Sequence, residues 1–209
     1  MAEQTALEPR RLIEAARLTQ EVLTPALDRD WTAKASGLDW DCRATLDHMV
    51  NAPLFHGTNL AMRSTQRLPS PRAGNPNASI AELLAGVEHA ATILARIAEG
   101  TPPGARGFHP GGLADAQGFV ALSTNELLLH THDLAGGLGL RFQPPGELAS
   151  LVVRRLFPWA PADADPWAAL LWATNRGSLP GRADMGPDWQ SHPAPLSEWD
   201  GVTVPRRQR

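Results

Sequence analysis

The sequence predicts an all-α fold, a four-helix bundle with a short C-terminal helical and irregular extension. Three observations predict it. Apolar residues recur at helical spacing in four long segments. Polar caps and loops rich in Pro, Gly and Asn separate those segments. No stretch shows the clear period-two alternation of a half-buried strand. Amphipathic helices joined by loops bury their stripes against one another, which is what a bundle is. The expected division is a bundle over residues 1–140 and a Trp- and Pro-rich extension over 141–209 packed on it.

The first helix is expected from residue 7 to about 29. Leu12, Ala16, Thr19, Leu23 and Leu27 form its inward stripe, and Pro25 kinks or ends it. After a loop with Gly37 as punctuation, Asp41 is a favourable N-cap for a second helix reaching about residue 64. Leu46, Met49, Val50, Leu54 and Leu60 are its core positions, and Pro53 is expected to kink it. Residues 68–78 read as loop. Ser79 then caps a third helix, with Glu82 completing a capping box, and Gly100 with Pro102 and Pro103 stops it. Asp115 caps the fourth helix, which is expected to reach about Ala135 and end at Gly136 and Gly137. Residues 147–157 and 165–175 read as two short helices in an otherwise irregular tail. Five of the seven tryptophans lie beyond position 158. Their expected role is to clamp that tail onto the bundle rather than to form a ligand cage.

Composition excludes several classes. With 209 residues the chain is long enough for a sizeable core. A formal charge of −3 and a pI near 6.1 argue against nucleic-acid binding as the main activity. The one basic cluster, Arg206, Arg207 and Arg209, reads as a solvated tail. No apolar run reaches the roughly 18–20 residues of a membrane span, and the first residues lack a signal peptide's apolar core. The expected compartment is the cytoplasm. Arginine supplies 18 of the 19 basic residues, a bias read as that of a GC-rich genome. Cys42 is the single cysteine, so a zinc site would be built from His, Asp and Glu.

The chemistry concentrates in Asn-Glu-Leu-Leu-Leu-His-Thr-His-Asp-Leu, residues 125–134. Glu126 and His130 stand four residues apart, one turn above each other on a helix apolar on most other faces. A buried carboxylate and imidazole need a partner. They form either an ordinary polar pair or two ligands of a divalent metal, for which a third is required. His48, two turns inside the second helix, is either a hydrogen-bonded core residue or that third ligand. His48, Glu126 and His130 together give three ligands from two helices with coordination positions left open, the arrangement of catalytic zinc. His132 lies about 200° round the helix from His130 at ~100° per residue and cannot share the metal. His56 is a candidate for the pocket above the site. His89, His109 and His192 are read as structural or surface residues. Asp133 either orients a ligand imidazole or pairs with an arginine such as Arg43. Cys42 is read as buried packing, and the absence of tyrosine excludes phenolic acid catalysis.

Trp40 to His48 (WDCRATLDH), followed after about eighty residues by ELLLHTHDLAGGLG, resembles the DinB-like superfamily. More narrowly it is similar to the mycothiol-dependent maleylpyruvate isomerase N-terminal-domain group, over roughly residues 10–140. The resemblance implies a DinB-like metal-binding bundle with His48, Glu126 and His130 as ligands. It also implies zinc as the divalent metal and a low-molecular-weight thiol cofactor, mycothiol in actinobacteria. Zinc stabilises such a thiolate, which is the nucleophile. Its implied target is a small electrophilic substrate, and the implied reaction is S-transfer or cis–trans isomerisation. The chain departs from the group at Ala44, where relatives often place an acid, and in a C-terminal segment too short for a separate α/β domain. Two alternatives stand beside this enzyme: a non-catalytic metal- or ligand-binding bundle, and a metal-dependent hydrolase of small molecules. A homodimer is a further expectation; nucleic-acid and membrane partners are not expected.

Overall fold

The computed structural model describes residues 7–207. Among them the fold is all-α: six helices, with single isolated bridges such as Gly107 to Ala114 in place of any sheet. The helices are α1 (Pro9–Leu23), α2 (Cys42–Ala61), α3 (Ile80–Glu99), α4 (Ala116–Gly137), α5 (Gly146–Leu156) and α6 (Pro166–Ala173). α1 packs on α3 and α4, and α2 packs on the same two, so α1 and α2 stand at opposite corners of the bundle. α5 lies on α4 and carries α6.

Local chemistry sets most of the helix starts. Pro9 occupies the first turn of α1, where its missing N–H costs nothing. Asp41 accepts the Ala44 N–H at 2.7 Å and Asp115 the Gly118 N–H at 2.7 Å, each satisfying an orphan donor. At α3 the Ser79 hydroxyl and the Glu82 carboxylate exchange hydrogen bonds with each other's backbone N–H, the expected capping box. α1 begins at Pro9 and ends at Leu23, shorter than expected, because Pro25 falls in a 3-10 turn over Thr24–Ala26. Pro53 lies inside α2, where its missing N–H leaves the Met49 carbonyl without a helical partner.

α4 is buried on nearly every face. It ends at Gly136 and Gly137, as expected: Gly137 is its last residue, and Gly139 at φ +67° turns the chain beyond it. The two glycines also serve close approach. A Cβ at Gly137 would lie 2.4 Å from the Lys34 carbonyl oxygen and 2.9 Å from Cys42 Sγ, and one at Gly136 would lie 2.4 Å from Ser36 Oγ. The end of α4 thus seats the 34–36 segment that leads into α2.

The buried apolar residues form one cluster from Leu7 to Met185, with Leu148, Val152, Phe157, Trp167 and Leu170 in it beside the bundle residues. Some tryptophans hold the tail through their N–H groups: Trp172 donates to the Ala183 carbonyl at 3.0 Å and Trp199 to that of Thr203 at 2.9 Å. Trp159 Nε1 is buried without a partner. A strap over 188–207 crosses the start of α4. Buried Arg155 holds it there, bonding Asp115 at 2.6 Å and the carbonyls of His192 and Pro193. Gly118 makes the crossing possible, since a Cβ there would lie 2.2 Å from the Pro193 carbonyl oxygen. The basic tail is therefore not simply solvated. Arg206 bridges to Trp189 and binds the Met185 carbonyl, and Arg207 reaches a cavity; residues 208 and 209 lie outside the described residues.

Candidate metal centre

α2 and α4 are neighbours, and their facing sides bring His48, Glu126 and His130 together. One ligand atom from each lies within 4.8 Å of the other two. His48 Nε2 is 3.0 Å and His130 Nε2 3.2 Å from the same oxygen, Glu126 Oε2. Zinc bonds of about 2.0–2.1 Å set tetrahedral ligand atoms roughly 3.3–3.4 Å apart. Little movement therefore separates these atoms from a coordinating arrangement, and the donor set of two imidazoles and a carboxylate suits a borderline divalent ion. The two rings stand nearly perpendicular, at 87° with centroids 5.2 Å apart.

Asp133 fixes the third of these groups. Its carboxylate accepts from His130 Nδ1 at 3.0 Å and from Arg176 Nε and Nη2 at 3.0 and 2.8 Å. Holding the Nδ1 proton this way turns Nε2 toward Glu126, as second-sphere carboxylates do for metal-ligating histidines. Asp133 thus makes both expected kinds of contact, but its arginine is Arg176 and not Arg43. Arg43 starts α2 and spends its guanidinium on the carbonyls of Asn75, Pro76 and Ala78.

The electrostatics follow from burial set against these bonds. Burial disfavours a charged His130, but hydrogen bonds to Asp133 and Glu126 outweigh it and hold its pKa up at about 9. Burial likewise disfavours a charged Glu126, yet the His130 and His48 hydrogen bonds keep it well below the usual carboxylate range.

His48, Glu126 and His130 line a cavity of about 690 Å³. Trp40, 49 % exposed, stands edge-on to the His48 ring at 5.2 Å and forms part of the rim. His56 reaches the same cavity, as expected, with Nδ1 2.7 Å from Ser123 Oγ. Its burial drives the pKa down to about 3, so the ring is neutral. His109, read from sequence as structural or surface, instead sits on the cavity wall with its ring 5.7 Å from that of His56. It lies mostly out of water, which lowers its pKa to about 4. The other histidines stay outside: His132 packs against Trp167, His192 donates to the Pro195 carbonyl, and His89 is exposed. Cys42 is buried against Gly137 with its thiol pushed up to about 11 by burial, which makes it a packing residue.

Sequence spacing misses Arg67, Arg176 and Arg207, which also line the cavity. Arg67 lies over the Phe55 ring at 5.2 Å. It arrives on the 62–79 connection, which Arg72 pins to Asp47. The chain matches no family model, no curated protein and no solved structure.

Proposed function

We propose that the protein is a DinB-like, metal-dependent enzyme that uses a low-molecular-weight thiol for S-transfer to, or isomerisation of, a small electrophilic substrate. The observation that carries this reading is the convergence of His48, Glu126 and His130 on one side of an accessible cavity. Zinc is the metal proposed. When bound it supplies Lewis acidity that favours the thiolate of a coordinating thiol at neutral pH, and thus the nucleophile.

The chain's own residues do the rest. His130 would hold the metal through Nε2, and Asp133 keeps the Nδ1 proton in place. Arg176 stabilises Asp133 in that role. Glu126 and His48 are partly exposed on the cavity wall, so ligand exchange does not require the bundle to open. The Trp40 and Phe55 rings and Leu129 give the cavity apolar lining, and the arginines favour an anionic substrate. We place this activity in the cytoplasm, where such thiols are kept reduced. Among the described residues no helix is long and apolar enough to cross a membrane.

Elemental analysis of the purified protein, with His48→Ala and His130→Ala, tests the reading. About one zinc per chain in the wild type and loss in both variants is expected; unchanged metal content in both variants refutes it. A thermal midpoint raised by mycothiol only in the metal-loaded form supports thiol chemistry. Unfolding by EDTA with no response to thiols instead favours a metal that braces the core.

A further inference from the structure

Two imidazoles of the cavity, His56 and His109, are set the opposite way from His130. His130 gives its Nδ1 proton to Asp133, which leaves the Nε2 lone pair for a cation. At His109 the Gly111 N–H donates to Nδ1 at 3.0 Å, so that nitrogen is bare and the neutral ring carries its proton on Nε2. His56 Nδ1 lies 2.7 Å from Ser123 Oγ. Ser123 is fully buried, and among the described residues its hydroxyl has no other partner. The hydroxyl proton therefore goes to His56 Nδ1, and Nε2 again carries the hydrogen. Burial keeps both rings uncharged. An imidazole in this tautomer does not ligate a metal through Nε2; it donates from it.

Neither Nε2–H is used inside the chain. Among the described residues no hydrogen bond reaches either atom, and the unpartnered polar atoms sealed from solvent are Asn125 Oδ1 and Trp159 Nε1. His56 is 6 % exposed, and the cavity is the space it lines, so its Nε2–H opens there. The two rings lie 5.7 Å apart, a gap that an acceptor at about 2.9 Å from each nitrogen can span. Both rings are held in place. His56 lies beside the Phe55 and Phe119 rings, and the turn carrying His109 is closed by the Gly112 N–H on the His109 carbonyl at 2.9 Å. The surroundings favour a negatively charged acceptor. Arg207 lines the same wall and acts on His109 through its charge, and Arg67 stands over Phe55. The nearby Glu126 carboxylate is already engaged by His48 and His130.

We propose that His56 and His109 form a two-donor anchor for a carboxylate, each Nε2–H donating to one of its oxygens. Ser123 is a positioning residue that acts through His56. The substrate of the proposed enzyme is then a carboxylate-bearing electrophile. Only that identification of the ligand as substrate rests on the function proposed above; the anchor itself needs no metal.

Benzoate is the probe, a carboxylate whose ring suits the apolar lining, and benzyl alcohol is its counterpart without the carboxylate. In long-range proton–nitrogen spectra of the EDTA-treated protein at neutral pH, His56 and His109 are expected as Nε2–H tautomers. Benzoate is expected to shift both rings saturably, and benzyl alcohol to leave them unmoved. Loss of one hydrogen bond to a charged group weakens benzoate about tenfold in His56→Phe and in His109→Phe. His56→Gln, whose amide N–H reaches the place of Nε2, is expected to restore binding, which a merely space-filling histidine would not require. A bare Nε2 on either ring, no saturable shift, equal response to benzyl alcohol, or unchanged affinity in both Phe variants overturns the proposal. Zinc content of the same samples separates the two readings. A protein that binds benzoate through this pair but takes up no zinc keeps the anchor and loses the metal centre; a zinc-binding protein whose metal-free form ignores benzoate does the reverse.

Discussion

Asp133→Asn isolates the orienting role of one carboxylate without altering any proposed ligand. Asp133 is 2 % exposed and bonds His130 Nδ1 and both Arg176 Nε and Nη2. The asparagine has the same size and keeps one acceptor oxygen, so the His130 ring stays roughly placed but loses the charge that fixes its tautomer and raises its basicity. Outer partners of this kind are worth about 10–100-fold in metal affinity, or ~1.4–2.7 kcal/mol. A second cost falls on Arg176, left against a neutral group. Breaking a fully buried pair costs about 3–5 kcal/mol; the Arg176 side chain is 17 % exposed on the cavity wall, so roughly 1–2 kcal/mol is expected here. At about 2–4 °C per kcal/mol for a chain of this size, the metal-free melt falls by roughly 2–8 °C. Zinc affinity is measured by competition with a chromophoric chelator, and stability by melting in EDTA. Zinc binding by Asp133→Asn within twofold of wild type, under conditions where His48→Ala binds none, refutes the orienting role of Asp133.

Three further outcomes are expected. Zinc at about a hundred times its dissociation constant adds ~2.7 kcal/mol to wild-type stability and nothing to His48→Ala, as read by thermal melts; equal shifts in both proteins contradict the ligand assignment. Acid destabilises the fold through His56 and His109, whose folded pKa values of about 3 and 4 lie below the ordinary value of 6.5. At these two positions the unfolded chain then binds more protons than the native one, so their contribution to stability is full above about pH 6.5. As pH falls it drops by about 1.4 kcal/mol per unit for each histidine, until the folded pKa is reached. In urea melts from pH 7 to 4.5, His56→Leu removes about one proton's share of that slope; an unchanged slope means that His56 is not held neutral. Gly137→Ala drives a methyl into the Lys34 carbonyl oxygen and Cys42 Sγ and costs about 1–3 kcal/mol or more; a neutral or stabilised variant shows that Gly137 is only a helix stop.

What was legible in the sequence was the local part. Asp41, Asp115 and the Ser79–Glu82 box act within four residues of themselves, so their chemistry reads directly from the chain. The Glu126–His130 spacing is local in the same sense, because one turn of helix fixes their relation wherever the helix goes. His48 needed the bundle to bring α2 beside α4, and its pairing with them was legible only as an expectation. Glycine defeats this kind of reading, since stopping a helix and admitting a neighbouring backbone call for the same residue. Gly136 and Gly137 are the terminus they look like and also a seat for the 34–36 segment, and only the first role was legible. The arginines of the cavity were invisible for a different reason. Nothing near Arg176 or Arg207 marks them, because remote contacts place them: Asp133 on α4 holds Arg176, while the Arg155 bonds and Gly118, which lets the Pro193 carbonyl pass, hold the strap that carries Arg207. A substitution at Arg155 should therefore loosen Trp189 and Arg207 at the cavity while leaving His48, Glu126 and His130 in place. The proposed metal centre depends on two helices, and the cavity that surrounds it depends on the tail.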